Sequence, residues 1–300
     1  MTAEIVPDSQ HKGLVAALPA NLRNYALLAR FDRPIGWWLL FWPCAWGLLL
    51  AGGAVRWDLL AWMLLGSIAM RGAGCVYNDI VDADLDKQVA RTAARPIASG
   101  AVSKRAAWVW LLALAAVGLI VLLQLRQTAQ LVALGSLALV AAYPFMKRIT
   151  GFPQAWLGLV FTWGAPTGWV AIRGDGLDVL AALYAGAVLW CIGYDTIYAC
   201  QDREDDAMVG IGSSALTLGR HVRGGVAAFY AGAVLCWALA FWWLRPDPLA
   251  LLALAPAALH LGWQALTLNP DDGDNALARF RANRFTGLLL ALGCWVVGNA

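Results

Sequence analysis

Long apolar runs fill most of this chain, and short polar segments separate them. A helix that crosses a bilayer needs about 20 mostly apolar residues. By that measure nine runs qualify: 35–54, 57–77, 106–124, 129–146, 154–172, 178–197, 224–244, 248–268 and 284–299. They are rich in Leu, Ala, Val and Trp, and they lack the alternating segments of about ten residues that mark a membrane barrel. The pattern predicts an all-α, polytopic membrane protein. Pro43, Pro166 and Pro256 fall inside runs and predict kinks there. The first 34 residues are too polar for a secretory signal peptide. Within them Leu18, Leu22, Tyr25 and Leu28 recur at roughly helical spacing, which predicts an amphipathic helix lying on the membrane surface. The expected organisation is an interfacial segment over 1–34 and a single transmembrane domain over 35–300.

Composition agrees with the pattern. The 300 residues are 61% hydrophobic and 14% charged, against about 45–50% and about 25% in soluble domains. Basic residues then set the orientation. With the N-terminus cytoplasmic, 17 Lys and Arg lie on the cytoplasmic side and four (Arg56, Arg126, Arg173, Arg245) on the other, with Arg71 inside the second span. Such a bias is the positive-inside signal. The six cysteines are scattered without a CxxC, so they read as buried apolar residues rather than a metal or disulfide framework. Most of the 17 Trp lie near run ends, as interfacial anchors do. Trp163 and Trp190 lie deep enough to line a cavity, although packing is the commoner role there.

Two acidic clusters interrupt the apolar pattern, and both come out on the cytoplasmic side. Asn78, Asp82 and Asp86 recur every four residues, and so do Tyr198, Asp202 and Asp206. On a helix, residues four apart share a face. Each row would stack carboxylates that repel unless a cation lies between them, and charge at a membrane is costly enough to mark function. Asp79, Asp84, Asp195, Glu204 and Asp205 add further carboxylates nearby. Oxygen donors select a hard cation, Mg²⁺ before Ca²⁺ or Mn²⁺. The three histidines are far apart, which disfavours zinc, and His260 reads as a packed polar residue within a span. Mg²⁺ commonly binds one or two carboxylates together with substrate phosphates. Cations beside the clusters suit a diphosphate: Lys87 and Arg91 after the first, Arg203 within the second, and Lys147-Arg148 in a short loop. A neutralised diphosphate is a good leaving group, so an allylic diphosphate in dry apolar walls is the expected electrophile.

The residues around the clusters resemble a known family. Arg71-Gly-Ala-Gly-Cys-Val-Tyr-Asn-Asp-Ile-Val-Asp-Ala-Asp-Leu-Asp86, with Arg91-Thr-Ala-Ala-Arg-Pro96 and Ser99-Gly-Ala-Val102, is similar to the first signature of the UbiA-type intramembrane prenyltransferases. Tyr194-Asp-Thr-Ile-Tyr-Ala-Cys-Gln-Asp-Arg-Glu-Asp-Asp206, followed by Gly210-Ile-Gly-Ser-Ser214, resembles their second. Tyr143-Pro-Phe-Met-Lys-Arg148 and Arg33-Pro-Ile-Gly36 resemble the branch that prenylates 4-hydroxybenzoate. The resemblance implies nine helices around a central cavity, with Asn78, Asp82, Asp86, Asp202 and Asp206 as metal ligands. It gives Asp79 and Asp195 orienting roles, sets Tyr198 in the place that Asn78 holds in the first motif, and has Lys147 and Arg148 hold phosphate. Arg33 or Arg71 would pair with the benzoate carboxylate. The implied partners are a polyprenyl diphosphate, 4-hydroxybenzoate and membrane lipid, with no nucleic acid. The implied setting is ubiquinone synthesis in a bacterial or mitochondrial inner membrane, with the site facing the cytoplasm. Other acceptors, such as haem, a naphthoate or homogentisate, remain open within the family, and an ion-coupled transporter is the reading from another class.

Overall fold

The computed structural model describes residues 14–87, 92–146, 149–203 and 212–300. Among the described residues the regular structure is helical and there is no strand. Each of the nine apolar runs coincides with helix. Among the described residues seven spans are long and apolar enough to cross a membrane, and Ile35–Leu50 is a shorter apolar helix. The last helix, Gly273–Asn299, begins well before the expected 284, because Asp272 caps it by accepting from the Asn275 backbone N–H at 3.0 Å.

The prolines act unequally. Pro43 lies within the Ile35–Leu50 helix, which continues through it. The span around Pro166 divides into Pro153–Phe161 and Gly164–Ile172. Pro166 has no N–H to offer Thr162, four residues earlier, and the Ala165 N–H bonds the Thr162 carbonyl instead at 2.9 Å. The span around Pro256 divides likewise into Pro248–Leu252 and Ala255–Thr267.

The chain forms two compact units. The first holds the described residues up to Trp37 together with Leu64–Gln124. Its core joins Leu28, Ala29, Ala73, Val76, Ile80, Ile97, Val102, Ala107 and Leu114. The Ala20–Leu28 helix therefore buries its end against protein. Trp110 reinforces this contact by donating to the Tyr25 carbonyl at 3.2 Å. Gly72 permits it, because a Cβ there would press within 3.2 Å of Ala29, Phe31 and Leu114 together.

The second unit holds Trp38–Met63 and Leu125–Ala300. The Leu177–Ala199 helix runs through its interior and packs on Pro153–Phe161, Val222–Leu244 and Gly273–Asn299. Trp190 is fully buried between Trp46 at 4.9 Å and Tyr194 at 4.7 Å, so it packs the core. Asn283 accepts from its indole N–H at 2.7 Å and donates to Gln264 at 2.8 Å, and Gln264 donates to Thr286 at 3.0 Å. His260 joins this network through Thr286 at 2.8 Å, the packed role expected for it. None of the six cysteines is in a disulfide.

Candidate active site

The first acidic motif sits at the polar end of the Trp57–Val81 helix, which runs past the expected boundary at 77 and carries Asn78 and Asp79 in its last turn. Helical bonding continues beyond it. The Asp82 N–H bonds the Asn78 carbonyl at 2.9 Å, and the Asp86 N–H bonds the Asp82 carbonyl at 2.8 Å. A bend at Asp82 separates the short Ala83–Asp86 turn from the span, yet the four-residue register holds across it. The backbone bonding that the spacing predicts is therefore kept across the bend.

These carboxylates are buried: Asp79 and Asp82 are each 1% exposed and Asp86 6%. Burial demands cations, and two arginines supply them. Arg30 grips both oxygens of Asp79 at 2.9 and 3.0 Å. Arg95 places one guanidinium nitrogen 2.9 and 3.1 Å from the two oxygens of Asp86 and 3.3 Å from Asp79. Burial pushes the Asp86 carboxyl above its ordinary range, Arg95 pulls it back, and Asp79 and Asp82 push it up again. Neither arginine stood out in sequence. Arg95 shares the first signature with Pro96, which was its one signal, and Arg30 had none.

Backbone geometry explains how both arrive. Arg30 follows the Ala20–Leu28 helix with φ +57°. Its N–H bonds the Leu27 carbonyl at 3.0 Å and the Phe31 N–H bonds Ala26 at 2.9 Å, the paired bonds of a Schellman cap. Glycine usually fills that left-handed position; here an arginine does, turned toward Asp79. Arg95 is delivered by the segment after residue 91. Thr92 donates its hydroxyl to the Asp86 carbonyl at 2.9 Å, and buried Ile97 and Val102 pin the chain on the far side of Arg95.

The other expected cations fall elsewhere. Lys87 pairs with exposed Asp84 at 3.2 Å, as does Lys104, and together they hold the Asp84 carboxyl below its usual range. Arg33 pairs with Asp32 at 3.3 Å. Arg71 lies two turns before Asn78 and donates to the Cys75 sulfur. Gly36 makes room for it: a Cβ there would stand 2.7 Å from the Arg71 Nε. Arg91, Lys147 and Arg148 lie outside the described residues.

The second motif begins on the Leu177–Ala199 helix, where Asp195 is partly buried and Tyr198 packs against Phe280 with the rings tilted and their centroids 4.6 Å apart. The helix then tightens into a 3-10 turn over Cys200–Asp202. Arg203 lies 3.6 Å from Asp271. Glu204, Asp205 and Asp206 lie outside the described residues. Beyond them, Ser214 returns to the same helix: its hydroxyl is 2.7 Å from that of Thr196, and its N–H bonds Gln154 at 3.0 Å.

The donor set fits a hard cation. It offers the Asn78 amide and the buried Asp82 and Asp86 carboxylates at four-residue spacing, linked by i→i+4 backbone bonds. Among the described residues no group of three or more His, Cys, Asp or Glu converges as a finished metal cage.

The chain is similar to known proteins over most of its length. The UbiA prenyltransferase family matches residues 40–290. The mitochondrial 4-hydroxybenzoate polyprenyltransferase of Caenorhabditis elegans is 42% identical over 287 residues, covering 93% of this chain and 80% of that protein. The protein of the same name from Rattus norvegicus is 40% identical, covering 95% and 77%. Among solved structures, the apo form of a UbiA homologue from Aeropyrum pernix K1 superposes with TM-score 0.70 at 28% identity, covering 86% of this chain and 97% of that one. A UbiA homologue from Archaeoglobus fulgidus bound to GPP and Mg²⁺ has the same fold, with TM-score 0.68 at 18% identity, covering 91% and 99%. From the match over residues 40–290 and from relatives this similar over nearly its whole length, the chain belongs to the UbiA prenyltransferase family.

Proposed function

We propose that this protein transfers a polyprenyl group from a polyprenyl diphosphate to carbon 3 of 4-hydroxybenzoate, in ubiquinone biosynthesis. The observation that carries the reading is the buried row of Asn78, Asp82 and Asp86 at the polar end of an apolar helix. The names of the relatives support the acceptor.

In this reading Asn78, Asp82 and Asp86, with Asp202 and Asp206 of the second motif, hold Mg²⁺. Bound there, Mg²⁺ offsets the diphosphate charge and makes it a better leaving group. Lys87, Arg91, Lys147, Arg148 and Arg203 bind the diphosphate oxygens. Arg33 or Arg71 takes the acceptor carboxylate, while Asp79, Asp195 and Tyr198 orient the reacting groups. The bond between the first prenyl carbon and the diphosphate oxygen breaks as the ring supplies electrons. A carbon–carbon bond forms ortho to the hydroxyl, and loss of the ring proton restores aromaticity. Apolar walls exclude water from the electrophile, and aromatic faces favour its positive charge. The prenyl tail extends toward lipid, each buried CH₂ contributing about 0.8 kcal/mol. Residues 35–300 act as one catalytic domain of an integral protein of a bacterial or mitochondrial inner membrane, with the site facing the cytoplasm.

The test uses purified protein with a polyprenyl diphosphate, Mg²⁺ and 4-hydroxybenzoate, with mass spectrometry of the product. The 3-polyprenyl acid is expected. EDTA should stop its formation and Mg²⁺ restore it. Asp82→Ala and Asp202→Ala should each abolish turnover in protein that remains folded. Product from haem or a naphthoate, with none from 4-hydroxybenzoate, overturns the acceptor; turnover without metal overturns the mechanism.

A further inference from the structure

Arg30 and Arg95 both neutralise the buried acids, but they are held differently. Arg30 is the more buried, with its side chain 12% exposed; one of its nitrogens bonds both oxygens of Asp79, and a second is anchored on the Leu27 carbonyl at 3.0 Å. Arg95 is 23% exposed and uses a single nitrogen for all three of its contacts. That nitrogen lies nearly midway between the two oxygens of Asp86, where a cation chelated by this carboxylate would have to lie. The backbone around Arg95 is pinned by Thr92 and Ile97, so only the side chain needs to leave. When it leaves, Asp79 keeps Arg30 and Asp86 is the group set free.

From this asymmetry we propose that Arg95 is an exchangeable counter-cation. It occupies Asp86 in place of the metal and yields that carboxylate only when metal and diphosphate arrive together. The inference rests on the reading of Asp86 as a metal ligand. Metal alone would have to expel the guanidinium from Asp86 toward Asp79, a carboxylate that Arg30 already holds. Metal with diphosphate gives the displaced guanidinium a new acceptor, because arginine pairs well with phosphate oxygens. Binding of the two ligands is then coupled, and the coupling is reciprocal. Asp86 is shielded meanwhile from stray divalent ions, and the buried acids never lack countercharge.

Mn²⁺, followed by its paramagnetic resonance signal, tests this on the full chain in detergent, with and without inorganic pyrophosphate. Arg95→Gln is expected to bind Mn²⁺ alone roughly tenfold more tightly than the unaltered protein, the order expected when one charge-assisted contact no longer competes. Pyrophosphate should then improve Mn²⁺ binding by a correspondingly smaller factor. Arg95→Lys, which keeps the charge and loses the fork, should fall between the two. Asp86→Asn separates the two readings. If, with pyrophosphate present, it binds Mn²⁺ as the unaltered protein does, the ligand assignment fails, and this proposal with it. If it loses Mn²⁺ while Arg95→Gln binds no tighter, the ligand assignment stands and the counter-cation role is overturned. Should Arg95→Gln prove unstable without metal, thermal unfolding decides: Mn²⁺ must raise its midpoint by more than it raises that of the unaltered protein. An equal or smaller rise overturns the proposal.

Discussion

At the scale of single residues, the acids depend on backbone turns that no periodicity encodes. Arg30 holds a left-handed conformation that costs a non-glycine residue about 1 kcal/mol or more, and in return its guanidinium reaches Asp79. Backbone preference and side-chain need therefore oppose each other at this position, and substitution separates them. Arg30→Gly suits the turn yet leaves a buried carboxylate with Arg95 alone. Breaking a buried pair costs about 3 kcal/mol, well above what the relaxed turn returns. Arg30→Gly is therefore expected to lower the thermal midpoint despite the better backbone residue. Arg30→Ala, which loses the pair and keeps the strain, should lower it further. A stabilised Arg30→Gly protein would show that the pair contributes less than the strained turn costs.

Among elements, close helix contacts come from small residues placed four apart. Gly164 and Gly168 lie on one face of the Gly164–Ile172 helix. Both abut Cys44 of the Ile35–Leu50 helix, and a Cβ at Gly168 would overlap the Cys44 carbonyl oxygen. Gly47 returns the contact against the Ala165 carbonyl. Small residues let backbones approach where lipid leaves no hydrophobic drive between helices. Because the obstacle is backbone, no rotamer change relieves it. Gly168→Ala should cost about 1–3 kcal/mol, read from a lower unfolding midpoint in detergent. Gly262 has open space around it, so Gly262→Ala should be neutral or stabilising by up to about 1 kcal/mol. Equal effects of the two would remove the close-contact account. The same scale shows what the sequence made legible. The helices follow from the apolar runs, each of which coincides with helix, and the Asn78–Asp82–Asp86 spacing from the 3.6-residue period, with i→i+4 backbone bonds linking the three. The counter-cations were hidden because Arg95 arrives on an irregular segment whose anchors, Ile97 and Val102, read as ordinary loop residues. The 3-10 turn over Cys200–Asp202 was hidden as well, because nothing in the spacing marks a change from 3.6 to three residues per turn.

For the whole molecule, the strongest remaining expectation is orientation, and it rests on charge. Seventeen of the 22 Lys and Arg fall on one side of the nine-span alternation. The bias acts during insertion, when short basic loops are retained on the cytoplasmic side. It therefore makes a statement about every connection at once, the two that carry the acidic motifs included. Two exposed positions report on it. Asp58, at the start of the second span, has a side chain 54% exposed, and Asp271, between the last two, one 83% exposed. Neither lies in the acidic motifs, so a cysteine at either leaves the proposed metal ligands untouched. In intact cells or right-side-out vesicles, a membrane-impermeant thiol reagent should label Asp58→Cys and leave Asp271→Cys unreacted until the membrane is opened. Native cysteines provide the background, which the unaltered protein measures directly. Labelling of Asp271→Cys from outside, with protection of Asp58→Cys, would invert the topology and place both acidic motifs on the far side from the cytoplasm. Labelling of both would break the nine-span alternation, because two positions on the same side need an even number of spans between them and the alternation sets an odd number there.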